Sequence, residues 1–114
     1  MHELGIMQST IEMVEGQARA NSAGKVHRIT LRIGALAGVE IESLRFAFDV
    51  VAAGTIAEGS SLEIISVPAL AHCKKCAADF SFSSGPIFAC PQCGDFSGDI
   101  RQGRELELSQ IEMS

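Results

Sequence analysis

Cys73, Cys76, Cys90 and Cys93 are the only cysteines of the chain, and all lie within 21 consecutive residues as two C-x2-C pairs separated by 13 residues. A C-x2-C turn puts two sulfurs on one side of an ion, and two such turns close a tetrahedral thiolate site. Phe80 and Phe82 alternate with polar residues, Gly85-Pro86 forms a turn and Ile87-Phe88 returns. That pattern predicts a β-hairpin between the pairs and a small zinc ribbon, with one structural zinc on the four cysteines. Mononuclear iron fits the same knuckles, and Cys90-Pro91-Gln92-Cys93-Gly94 suits it as well. A redox dithiol fits poorly, because it wants a single pair at a helix start. His72 precedes Cys73 directly and reads as a bystander to the metal.

A chain of 114 residues is one small domain or one domain with an insertion. With 46% apolar and 20% charged residues it is not a disordered tail. No apolar run reaches the roughly 18 residues of a membrane span. The opening segment interrupts its apolar residues with Glu3, Glu12 and Glu15 and has no basic start, so it is not read as a signal peptide. A cytoplasmic protein is the expectation, and in a reducing compartment the cysteines are metal ligands rather than disulfides. The formal net charge of -5 argues against nucleic acid as a partner. Along the ribbon, Lys74 and Lys75 are cancelled by Asp79 and Asp95.

Outside the ribbon the periodicity is clear. Leu4, Met7, Ile11, Val14 and Ala18 lie on one stripe of a helix over 4–20, stopped at Asn21 to Gly24. Val26 to Ile33 alternates, with Ile29, Leu31 and Ile33 on one side and Arg28, Thr30 and Arg32 on a wet side. A second helix spans about 40–53, with Ile41, Leu44, Phe48 and Val51 inward and Glu40 and Glu42 in its first turn. Ser61 to Val67 is a strand stopped by Pro68, and 104–112 alternates again with Leu106 and Leu108 inward. The fold expected is α+β: two helices on one face of a three-stranded mixed sheet, with an inserted zinc-ribbon domain. Strands one and two run parallel through the crossover helix. The helix–sheet domain takes residues 1–69 and 101–114, and the ribbon takes 70–100.

Met1-His2-Glu3-Leu4 opens the chain. A bulky second residue tends to keep the initiator Met, leaving a free α-amine. That amine, the His2 backbone nitrogen and the His2 imidazole can close two fused chelate rings, and Glu3 adds a nitrogen or a carboxylate. Nitrogen-rich sites of this kind suit Ni(II) and Cu(II). An exposed, idle His2 is the plain alternative.

M-H-E-L at the start, I-G-A-L-A-G-V-E, E-S-L-R-F-A-F-D followed by Gly54-Thr55, and H-C-K-K-C…C-P-Q-C-G together resemble the HypA/HybF family of hydrogenase-maturation nickel chaperones. The resemblance runs in order along essentially the whole chain. It implies nickel at Met1, His2 and Glu3, and structural zinc at Cys73, Cys76, Cys90 and Cys93. It also implies an acidic residue near the nickel site, at Glu40, followed here by Ile41 where many relatives have Pro. The implied function is non-enzymatic: holding Ni(II) for the [NiFe]-hydrogenase large subunit, and in some organisms for urease, together with a maturation GTPase. That GTPase would meet the body near the nickel end, with Glu12, Glu15 and Arg19 as candidate contacts.

Two rival classes have less behind them. A zinc ribbon used as a nucleic-acid or protein-interaction module lacks a basic stripe. An enzyme would need a base–nucleophile pair, which His2, His27 and His72 do not form with Ser43 or Ser66. No Gly-rich phosphate loop follows a strand, so a GTPase has to be another protein.

Overall fold

Helix α1 (Glu3–Ala20) buries Met7, Thr10, Ile11, Val14 and Ala18, the expected stripe with Thr10 added, while Leu4 at the open end stays partly exposed. The computed structural model describes residues 2–81 and 89–114. Strand β1 (Val26–Gly34) follows, then α2 (Ile41–Ala52) and β2 (Ser61–Val67). Three short strands come next, β3 (Leu70–Cys73), β4 (Ala78–Ser81) and β5 (Ile100–Gln102), and β6 (Leu106–Met113) ends the chain. Among the described residues, no helix is long and apolar enough to cross a membrane.

The first sheet has the order β2-β1-β6. Arg28 of β1 pairs with Glu63 of β2, and farther along Ala35 N–H donates to the Val67 carbonyl, so both strands rise together and run parallel. Lys25 exchanges two backbone bonds with Ser114, and Gly34 N–H donates to the Glu105 carbonyl, so β6 returns antiparallel. The sheet is mixed, and α1 and α2 pack together over one of its faces, as the periodicities require. On the other face, Arg28 is held by Glu63 and Glu112 and Arg32 by Glu107. Thr30, read as wet, is buried. As part of the central strand it has neighbours on both sides, with Arg28 and Arg32 flanking it. In α2 the burial shifts toward small residues: Leu44, Ala47, Phe48 and Ala52 are covered, whereas Ile41 and Val51 are only half-buried.

The second sheet, β4-β3-β5, is antiparallel, with Leu70 opposite both Ser81 and Gln102, and Cys73 opposite Ala78. The turn expected at Gly85-Pro86, with Phe82 and Ile87-Phe88 around it, falls outside the described residues. The chain forms two compact units. One comprises 1–32, 38–65 and 107–114; the other comprises 33–37 and 66–106 and contains the cysteines. This second unit extends beyond 70–100 because main-chain bonds join its flanks: Ala35 N–H to Val67 and Leu36 N–H to Gly103. Gly34 and Gly103 meet backbone to backbone, and a Cβ on Gly34 would strike the Gly103 carbonyl. No other residue fits there without moving the main chain.

Candidate metal centres

Each cysteine pair is the turn of a small antiparallel ladder. Cys73 ends β3 opposite Ala78, so Lys74 to Ala77 is the first turn, and the Ala89–Phe96 bridge frames the second. In the second turn Cys90 N–H donates to the Asp95 carbonyl and Gly94 N–H to the Cys90 carbonyl, with Gly94 at φ +79°. Ala77, at the matching place after Cys76, also has positive φ, +53°. The two knuckles therefore share one backbone course, although only one has the glycine that suits it.

These turns bring the four Sγ atoms within 4.8 Å of one another. Cys73 and Cys93 lie 3.6 Å apart, and Cys76 and Cys90 lie 3.8 Å apart. Four sulfurs at 2.3 Å from a central ion have tetrahedron edges of about 3.8 Å. The separations are too long for a disulfide, and all four cysteines are free. Cys73 and Cys90 are buried, and they form a core with Ala71 and Phe80 against which Cys76, Cys93 and Ile100 pack. The donor set and its spacing fit a tetrahedral thiolate-loving ion such as zinc.

Without a cation the thiols are unequal. The Cys93 and Gln92 N–H groups point at the Cys90 sulfur and bring its pKa down to about 7. Cys76 goes the other way, to about 12, first through its contact with the Cys93 thiol and then through burial. For Cys93, the Asp95 N–H lowers the value, but burial and the Cys73 thiol outweigh it and the net shift is upward. Four anions cannot crowd together unpaired, so the neutral thiols hold one another's protons until a cation replaces them.

His72 takes no part in the thiol cluster. Its Nδ1 lies 2.7 Å from Asp79 Oδ1 across the β3–β4 ladder. Ser97 Oγ donates to its carbonyl, and its own N–H donates to Asp99. The Asp79 partner was visible as the facing residue of the hairpin only once the β3–β4 register was known.

The second group of candidate residues lies at the start of α1. Met1 is outside the described residues. His2 is the exposed N-cap of α1, and its carbonyl accepts the Ile6 N–H at 3.2 Å. The backbone nitrogens of His2 and Glu3 belong to a helix start, where N–H groups have no intrahelical partner. Glu40 is the N-cap of α2, and its carboxylate accepts the Glu42 N–H at 3.3 Å. The Glu40 N–H in turn donates to Glu3 Oε2 at 3.2 Å. That bond and the Glu3 N–H hold the Glu3 carboxyl below the usual range. The structure thus brings Glu3 and Glu40 together, with His2 next in the chain.

Known proteins share this architecture. A family model described as hydrogenase/urease nickel incorporation, metallochaperone, HypA, matches residues 1–113. The hydrogenase maturation factor HypA of Acidithiobacillus ferrooxidans (strain ATCC 53993 / BNL-5-31) is 48% identical over 114 residues, spanning 99% of both chains. That of Azotobacter chroococcum mcd 1 is 41% identical over 113 residues, again spanning 99% of both. The solution structure of the Ni metallochaperone HypA from Helicobacter pylori superposes with a TM-score of 0.67 at 26% identity, covering 99% of this chain and 97% of that one. With a full-length family match and relatives this similar, the chain belongs to the HypA family of nickel metallochaperones for hydrogenase maturation.

Proposed function

We propose that this chain carries Ni(II) at its N-terminus and hands it on for assembly of the [NiFe]-hydrogenase large subunit, or of urease, in concert with a maturation GTPase. Nickel is the cargo. Its donors are the Met1 amine, the backbone nitrogen and imidazole of His2, and Glu3, with Glu40 close by. The observation behind this reading is the bond from Glu40 N–H to Glu3, which gathers acidic groups beside His2. A site at the end of a chain has few restraints, so its donors can leave one at a time as a recipient's ligands arrive. Zinc on Cys73, Cys76, Cys90 and Cys93 is the resident ion: it neutralises the thiolates and holds the two knuckles together. No step of the carrier's work needs a catalytic residue. The proposed place of action is the cytoplasm, where thiols stay reduced.

Metal analysis of untagged protein before and after Ni(II) addition tests the whole reading, with one zinc kept and one nickel gained per chain expected. Titrating Ni(II) into the native-start protein, into a form with one residue added before Met1 and into His2→Ala tests the donors. Both altered proteins should lose specific uptake while keeping zinc. Equal binding by the extended form would remove the amine from the ligand set and leave a site of side chains such as His2, Glu3 and Glu40. Because the amine and imidazole must both shed protons, uptake should also weaken in acid more steeply than one donor requires.

A further inference from the structure

Phe46 and Val50 are 72% and 54% exposed on α2. Phe46 lies between Leu44 and Phe48 of the buried stripe, so it points away from the core, where an amphipathic helix is ordinarily polar. Residues four apart touch on a helix surface, so Phe46 and Val50 form one apolar ridge. Glu42 and Asp49, both exposed, lie four residues before and three after Phe46 and flank it. Among the described residues neither carboxylate has an ion pair. Arg45, the one basic residue of α2, is turned to the Leu62 carbonyl at 3.1 Å.

The wider charge distribution agrees. The four-cysteine unit is neutral, with Lys74, Lys75, Arg101 and Arg104 matched by Asp79, Asp95, Asp99 and Glu105. The full formal charge of -5 therefore falls on the helix–sheet unit. On its sheet face, Arg28 and Arg32 are neutralised by Glu63, Glu112 and Glu107. Three acids against two arginines leave that face at -1, so -4 of the charge lies elsewhere in the unit, Glu42 and Asp49 beside the ridge included.

We infer that the outer face of α2 is a docking surface for a positively charged protein partner, whose apolar stripe covers Phe46 and Val50 and whose Lys or Arg residues meet Glu42 and Asp49. A buried aromatic inside a charged rim is the arrangement of an interface hot spot. A second copy of this chain is the wrong occupant, because a two-fold contact would set these acids against themselves. Phe46 is six residues beyond Glu40, about 9 Å along the helix axis. A partner seated there would reach the end of α2 where Glu3 and Glu40 meet; only this last point rests on the nickel reading.

The probe is a labelled amphipathic helical peptide of about 18 residues with a leucine stripe and lysines elsewhere. One control replaces lysine by glutamate, and another scrambles the same composition. Anisotropy titration with the full chain should show saturable binding of the segregated lysine peptide alone, weakened by salt. Phe46→Ser and Val50→Ser, both on exposed positions, should weaken it, the first at least about tenfold. Glu42→Lys with Asp49→Lys should weaken it and flatten the salt dependence. Equal binding of the scrambled or glutamate peptide, or unchanged binding by Phe46→Ser with its helical circular dichroism intact, would overturn the proposal. Sedimentation revealing a dimer that Phe46→Ser dissolves would overturn it too, giving the face to a second copy.

Discussion

The four thiols come from two hairpin turns within one small unit, whereas Glu3 and Glu40 come from the starts of two helices with a whole strand between them. Two of the thiols are buried, and the backbone already directs Cys93 and Gln92 N–H groups at the Cys90 sulfur. At the N-terminal centre, His2 and Glu40 lack such cover; His2 is exposed, and a single hydrogen bond joins Glu3 to the Glu40 main chain. Under the nickel reading proposed above, the contrast is between two ways of holding a metal. A closed set of like donors resists exchange, while an open set on a chain end leaves room for incoming ligands.

Metal removal separates the centres most strongly. In small finger peptides structural zinc supplies on the order of 10–16 kcal/mol of apparent binding free energy. Chelation, or Cys76→Ala, should therefore melt β3, β4 and β5 while helical circular dichroism from α1 and α2 persists. Simultaneous loss of both signals would mean that the helices also depend on the thiol cluster.

Proton release offers a finer comparison. With its pKa near 7, Cys90 is largely thiolate at pH 8, whereas Cys76, near 12, is still a thiol. Zinc capture should release fewer than four protons at pH 8 and approach four as the pH falls below 7. Calorimetry in buffers of different ionisation enthalpy reads this number, and a pH-independent value would show that the Cys90 preorganisation is absent.

At the open centre, the lowered Glu3 pKa means that its contribution to stability is present above the ordinary carboxylate range. It is lost as the pH falls through the depressed folded value. Glu3→Gln should lower urea stability slightly at neutral pH and make no difference in strong acid. An equal loss at both pH values would trace the effect to packing rather than to charge.

The smallest effect expected is at the knuckle backbone. Positive φ costs an L-residue roughly 1–2 kcal/mol, so Ala77→Gly should stabilise the metal-loaded ribbon by up to about 1 kcal/mol once the extra unfolded-state freedom of glycine is subtracted. Gly94→Ala should do the reverse. Thermal melts of the two proteins compare the knuckles directly.

Much of this was legible in the sequence because α1, β1, α2 and β2 are long enough for their apolar periods to stand out. Most of their large core residues followed, but Thr10, Thr30, Ala47 and Ala52 look neutral until a neighbour covers them, and Leu4, Ile41 and Val51 are less covered than the period suggests. Strand β4 showed through the alternation at Phe80, whereas β3 and β5, with four and three residues, are too short for alternation to register beside cysteine turns. The cysteines were visible as a set because their spacing is local. The bond between Glu40 and Glu3 spans two elements, and no spacing rule connects residues so far apart in the chain. Resemblance to a family supplied Glu40, and the fold supplied the contact. The exposure of Phe46 agrees with the helical period, which leaves position 46 off the stripe of Leu44 and Phe48.

Leu70 opens β3, and its partner across the ladder is Gln102, the last residue of β5. The polypeptide therefore leaves for the cysteine knuckles and comes back at a single spot. Partners across an antiparallel ladder are about 5 Å apart, a span that a two-residue Asn-Gly turn closes. The knuckles are in this sense a replaceable cassette. A chain with such a turn in place of the intervening residues would keep β2 and β6 at their original spacing, and another module with neighbouring ends could be fitted at the same point.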